Sequence, residues 1–461
     1  MKERDVQGDK KPHRRKRLEN GQPRPISFKD WISGVSDVFH HLDDSGTHKV
    51  RRGNGDVAQV GLYAFEGDGD GGVSRYNILM SDSTLGVAVL PAAPDAQERL
   101  FRPTGGRPLP HVRALDGIRG LAAVAIVMHH ALLTLPDAVW PLYVHWTQLI
   151  TSYFYLGVDL FFVLSGYLIT SLLLLARRSP NFYRNFYWKR VFRILPALVL
   201  VLLVTHYAGW LNWHEVFLVL FFVANLRELW HMPEGGPFWS LAIEEQFYIV
   251  WPAVVRHERP RAMYRTLLAL MILPVLLRAI SVALHHGRMH YTFVHCDGLA
   301  WGALLAMLAY RARIPFRDYN NARFWMGTGR WMLLFGIPTM VVGLGLEIAH
   351  RPEYGLILTA SPPLFSGVLA YLITHRQGLW SRFFSSVPMR FLGSISYMMY
   401  LSHAYIMATY DQFFHGFWSH PTPTGYYVRF VAVMVSTILI CAASLHLFEQ
   451  PIGRLRSKFL R

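Results

Sequence analysis

Apolar residues in this chain come in long blocks separated by short polar ones. The blocks lie at about 118–135, 147–176, 194–210, 213–225, 238–255, 266–284, 292–310, 331–349, 354–374, 391–413 and 426–447. An α-helix needs roughly 17–25 apolar residues to cross a bilayer core of about 30 Å. Ten of the eleven blocks reach that length. The block at 213–225 does not, and it is expected to be a re-entrant or interfacial piece, which is allowed where protein or a wet cavity covers its backbone. The pattern predicts an all-α polytopic membrane protein with about ten transmembrane helices plus one short re-entrant segment.

Loop charge supports that count, because cytoplasmic loops carry the excess of Lys and Arg. The linker 177–193 holds Arg177, Arg178, Arg184, Lys189, Arg190 and Arg193, and the linkers 256–265, 311–330 and 375–390 are also basic. The alternate loops 136–146 and 414–424 contain no Lys or Arg. The alternation requires an even number of spans between 193 and 256, so 213–225 does not cross. Both termini are then cytoplasmic, and the expected location is a bacterial-type inner (plasma) membrane, entered many times.

Composition agrees. A chain that is 52% hydrophobic and 16% charged is not a soluble enzyme around one core. Its net charge of +16 is explained by the basic loops, so no nucleic-acid partner is expected. Two cysteines, Cys296 and Cys441, both inside apolar blocks, exclude a disulfide framework. No apolar block precedes residue 118, so no cleavable signal peptide is expected.

Residues 1–110 differ from the rest. They hold a basic run, Lys10 to Arg17, and the spacer Gly67-Asp-Gly-Asp-Gly-Gly72, and no helix or strand period persists. This segment reads as a cytoplasmic, mostly disordered basic and Gly-rich tail. Met80 is an alternative start. The transmembrane domain is expected over 111–450 and a short basic cytoplasmic tail over 451–461.

The polar residues inside the blocks carry the chemistry. Arg119 is followed eleven residues later by His130. Eleven steps of about 100° return to within about 20°, so the two share a helix face, roughly 16 Å apart in depth. Ionisable residues at that depth mark substrate paths or proton relays. Span direction gives two groups. A cytoplasmic group joins Arg119 to Arg190 and Arg193, which are three apart and hence neighbours. Their guanidinium forks suit phosphate oxygens.

A deeper group joins His130, Asp159, Glu244, Glu245 and His403. Two histidines and several carboxylates suit acid–base work, since a carboxylate orients an imidazole and a neutral imidazole accepts a proton. His129 competes with His130, but only His130 shares the Arg119 face. Only one of Glu244 and Glu245 is expected to face inward well, and Glu244 is favoured. Ser165 reads as helix packing. The same side chains are zinc ligands, but no close HxxxH or HxH pair supports a site, and no metal is expected.

Five stretches resemble the acyltransferase-3 family of integral-membrane O-acyltransferases. They are Asp116-Gly-Ile-Arg-Gly-Leu-Ala-Ala with His130, Gly157-Val-Asp-Leu-Phe-Phe-Val-Leu-Ser-Gly-Tyr-Leu-Ile169, Lys189-Arg-Val-Phe-Arg-Ile-Leu-Pro196, Phe238-Trp-Ser-Leu-Ala-Ile-Glu-Glu-Gln-Phe-Tyr248 and Leu392-Gly-Ser-Ile-Ser-Tyr-Met-Met-Tyr-Leu-Ser-His403, in family order. The resemblance implies transfer of an acyl group, usually acetyl, from cytosolic acyl-CoA (acetyl-CoA) as co-substrate to a hydroxyl of a glycan, a lipid-linked saccharide or another acceptor. Arg119, Arg190 and Arg193 would hold the CoA phosphates and His130 would be the general base, helped by Glu244 or Glu245. Asp159, His403 and Tyr397 would be substrate or support residues. The stretch His295-Cys-Asp-Gly298 lacks the arginine expected before its aspartate. The long N-terminal segment lies outside the family pattern, and no extra C-terminal hydrolase domain is expected. A proton-coupled transporter using the same buried groups is the rival reading. A membrane scaffold is a third, and it leaves the buried charges unexplained.

Overall fold

The computed structural model describes the strands 47–51, 57–61, 76–78 and 89–91, together with residues 111–133, 141–230, 236–284, 291–312, 324–348, 354–413, 422–452 and 454. From residue 113 onward the described elements are helical. They are α1 (Arg113–Leu133), α2 (Leu142–Ser152), α3 (Gly157–Ala176), α4 (Phe182–Tyr207) and α5 (Trp213–Leu220). Then follow α6 (Phe238–His257), α7 (Pro260–Ala283) and α8 (Asp297–Arg311). The last four long helices are α9 (Arg330–Ile348), α10 (Tyr354–Thr374), α11 (Val387–Phe413) and α12 (Pro423–Ser444).

Among the described residues seven stretches are long and apolar enough to cross a membrane: Arg113–Leu133, Leu142–Ala176, Phe182–Tyr207, Pro260–Ala283, Trp325–Leu346, Gly355–Thr374 and Pro423–Ile452. The remaining helices α6, α8 and α11 pack among these but are shorter or more polar. The block at 213–225 contains α5, whose eight residues are about 12 Å long and cannot cross a ~30 Å core. An Asn212–Glu215 capping box starts it. Its exit passes Phe222 at φ +57° into a 3-10 turn, Ala224–Trp230.

Little of the N-terminal segment is among the described residues. Its described residues form four short strands, β1 (Thr47–Arg51) paired antiparallel with β2 (Val57–Gly61), and β3 (Tyr76–Ile78) with β4 (Val89–Pro91). Strands of three to five residues are too short to leave a period, and a lone hairpin is marginal in water. The basic run and the Gly-rich spacer lie outside the described residues, as does most of the tail 451–461.

Several helix pairs approach closely enough for backbone to meet backbone. A Cβ on Gly393 would fall 2.0 Å from the Asp116 carbonyl oxygen, and one on Gly120 would fall 2.6 Å from the Gly393 nitrogen, so α1 and α11 touch along small residues. Likewise a Cβ on Gly302 of α8 would fall 2.0 Å from the Val163 oxygen of α3. Between membrane helices there is little hydrophobic driving force, so such close packing is a main source of association. Ala123 and Val127 of α1 pack with Met398 and Met399 of α11 and with Phe238 and Leu241 of α6. Ile118 and Ala122 pack instead with Leu160, Val163 and Leu164 of α3.

Candidate active site

A cavity of about 370 Å³ lies between α1, α3, α4, α6, α10 and α11. Arg119 reaches it from α1, and Arg190 and Arg193 from the first half of α4. Arg190 lies 4.2 Å above the Tyr248 ring, a cation–π contact that holds its guanidinium against the wall. Arg376 lines the same space. The spacing argument thus delivers three guanidinium groups to one chamber.

Glu244 and Glu245 both line the cavity, which corrects the expectation that only one faces inward. Consecutive helical side chains diverge by about 100°, and a chamber bounded by several helices is wide enough to receive both. Their partners differ. Glu244 accepts hydrogen bonds from the Ser165 hydroxyl at 2.9 Å and the Tyr248 hydroxyl at 3.3 Å. Glu245 is 8% exposed, and its Oε1 has no protein partner among the described residues. A buried carboxylate oxygen without a donor costs free energy, so it suits a ligand N–H or O–H. Tyr397 lines the wall and donates to the Ile194 carbonyl at 3.2 Å.

The imidazoles stand one layer beyond. Neither His130 nor His403 lines the cavity; Phe161 and Tyr400 do, with ring centroids 5.9 Å apart. The Tyr400 ring is 5.8 Å from that of His403, and His403 is 5.0 Å from His130. Tyr400 is anchored by donating to the Pro237 carbonyl at 2.9 Å and lies 2.5 Å from the Ser240 hydroxyl.

Hydrogen-bond geometry assigns the tautomers of the neutral rings. His403 Nδ1 lies 2.7 Å from the Tyr400 carbonyl oxygen, an acceptor only, so it carries the hydrogen. Its Nε2 then presents a lone pair to His130 Nδ1 at 3.3 Å. His130 Nδ1 also lies 2.9 Å from the Ile126 carbonyl, so it too is the protonated nitrogen. The basic nitrogen of His130 is Nε2. His129 is used differently: its Nδ1 donates to the Thr151 carbonyl at 2.9 Å, tying α1 to α2.

Asp159 does not join this group. It is buried and accepts from the Ser361 hydroxyl of α10 at 2.6 Å. The aspartate of His295-Cys-Asp-Gly298 is paired after all, because Arg278 of α7 meets Asp297 at 2.5 Å in a buried ion pair.

Comparison with known proteins decides the family. The acyltransferase-3 family, described as an acyltransferase domain, matches residues 112–446. The chain belongs to that family. The chain is 28% identical over 378 residues to the putative peptidoglycan O-acetyltransferase YrhL of Bacillus subtilis, covering 74% of this chain and 55% of that protein. It is 27% identical over 326 residues to the peptidoglycan O-acetyltransferase OatA of Listeria monocytogenes, covering 64% and 49%. A putative O-acetyltransferase of Staphylococcus aureus strain COL is 25% identical over 375 residues, covering 74% and 57%. The chain spans about half the length of the curated relatives it matches. No solved structure matches it.

Sequence reasoning missed several residues of this cavity. Ser165, a packing residue by its sequence context, joins Val158, Phe161, Leu168 and Leu172 in the stripe of α3 that faces the chamber. Their spacing of three and four was legible. Tyr400 and Ser240 lie inside two of the resembling stretches, but their mutual contact joins residues 160 positions apart and leaves no local trace.

Proposed function

We propose that this chain is an integral-membrane O-acyltransferase that moves an acyl group, acetyl above all, from acyl-CoA to a hydroxyl of an envelope glycan. The observation that carries the reading is one chamber lined by Arg119, Arg190 and Arg193 and backed by the His130–His403 imidazole pair. Three guanidinium forks suit the phosphates of a CoA ester. The unpartnered Glu245 carboxylate oxygen suits an amide or hydroxyl hydrogen of its pantetheine arm. The roughly 16 Å along α1 from Arg119 to His130 fits that arm extended. His130 Nε2 takes the proton from the acceptor hydroxyl as its oxygen attacks the thioester carbonyl. The C–O bond forms, the C–S bond breaks, and His130 returns the proton to the thiolate. Tyr400 and Phe161 separate the cavity from the imidazoles in the described state, so one of these rings swings aside before transfer.

Peptidoglycan is the first acceptor to test, because two of the relatives carry that substrate in their names. A proton-coupled transporter would use the same imidazoles but has no need for an arginine-lined chamber. Ten spans are proposed: the seven apolar stretches plus α6, 292–311 and α11, with α5 re-entrant and both termini cytoplasmic. The test is single-turnover transfer from radiolabelled acetyl-CoA to muropeptides by full-length protein in nanodiscs. Labelled ester with released thiol is expected. Neither transfer nor acetyl-CoA binding would overturn the reading, and a C-terminal reporter active only outside the membrane would overturn the topology.

A further inference from the structure

α1 and α11 run in register. Gly120 meets Gly393, and ten residues further along both helices His130 meets His403. The offset is the same at both points, so the helices are parallel, and the glycine seam fixes them on one side of the imidazole pair. On the other side lies Arg429 of α12, which is 4% exposed. Its Nε and Nη2 donate to both carboxylate oxygens of Asp411 on α11, at 2.8 and 2.7 Å. Its Nη1 donates to the Ala131 carbonyl of α1 at 2.9 Å. The last carbonyls of a helix have no donor within it, and a cation is favoured there by the helix dipole. Tyr426 of the same α12 donates to the next carbonyl, Leu132, at 2.5 Å.

We propose that Arg429 is a positioning residue for acyl transfer, joining the end of α1 one residue past His130 to α11 two turns past His403. The inference rests on His130 being the base. The glycine seam cannot do this alone, because it lies about 15 Å from the imidazoles, at about 1.5 Å per residue. A bidentate Arg–carboxylate pair holds direction as well as distance. Without it the ends of α1 and α11 are free to part, and the 3.3 Å imidazole contact parts with them. A misplacement of about 1 Å near reacting groups can cost 10²-fold in rate.

The experiment uses full-length protein in nanodiscs with acetyl-CoA as donor, comparing wild type with Arg429→Gln, Arg429→Lys and Asp411→Asn. Arg429→Gln should lower kcat about 10- to 100-fold while the donor KM stays within twofold, because Arg119 sits beside Gly120 in the intact glycine seam. Arg429→Lys should recover part of kcat by donating to Ala131 or Asp411 singly. Spin labels on Leu133 and Gln412 should show a broader distance distribution in Arg429→Gln than in wild type. A kcat within twofold of wild type in inserted Arg429→Gln overturns the proposal. So does a matched change in kcat, donor KM and thermal midpoint, which marks a merely structural bond. Should Arg429→Gln fail to insert, the half-exposed Asp411→Asn carries the same kcat criterion. His130→Ala runs alongside. A wild-type rate there sinks the base reading itself, whereas a dead His130→Ala with a normal Arg429→Gln sinks only the clamp.

Discussion

Replacing His403 by leucine separates an orienting imidazole from a reacting one. His403 is fully buried, and leucine fills much of its volume without adding a polar group. The expected loss follows from the hydrogen bonds. His130 Nδ1–H has two acceptors, the Ile126 carbonyl at 2.9 Å and His403 Nε2 at 3.3 Å. Leucine removes the longer of them and leaves the shorter, so the tautomer and the basic Nε2 both survive. One hydrogen bond contributes a net 0.5–1.5 kcal/mol, about 2- to 13-fold at 1.36 kcal/mol per decade. A general base contributes about 10²–10⁴-fold, so the two ranges do not overlap. The assay is single-turnover acyl transfer at saturating acetyl-CoA in nanodiscs. His403→Gln, which can keep an acceptor near the Nε2 position, should lie between leucine and wild type. If His403→Leu loses more than 10²-fold while His130→Ala transfers nearly normally, the two imidazoles have been assigned the wrong way round.

Three further outcomes follow from the site. His130→Ala should lose about 10²–10⁴-fold in single-turnover rate with acetyl-CoA binding retained, while His129→Ala, which gives up the Thr151 bond that ties α1 to α2, should lose less than tenfold. Arg119→Gln, Arg190→Gln and Arg193→Gln should each weaken acetyl-CoA binding about 10- to 150-fold by direct titration, the worth of a hydrogen bond to a charged group. Normal binding in all three would empty the chamber of its proposed ligand. Gly302→Ala should cost about 1–3 kcal/mol, read as a lower thermal midpoint, because the new Cβ meets the Val163 oxygen and the Tyr167 nitrogen, both backbone atoms of α3.

How much of this was legible depends on what each residue answers to. Arg119, Arg190 and Arg193 answer to depth and helix face, and both follow from spacing, so their arrival in one chamber was predictable. The depth argument also paired His130 with His403, each about equally far into its own helix, and the constant offset between α1 and α11 gives the physical reason: parallel helices in register bring equal depths together. The same argument failed for Asp159. Depth fixes one coordinate and leaves rotation open, and α3 turns Asp159 toward Ser361 on α10. Rotation also decided the glutamates, whose chamber admits two consecutive positions of α6. Arg429 left no signal at all. An arginine near the start of a membrane helix is ordinarily read as an interfacial anchor. Only the meeting of three helices shows it donating to the helix end that carries His130. The residues that make the site chemically distinctive were written in single segments. The residues that hold it in shape came from between segments, where helix rotation and pairing decide what meets.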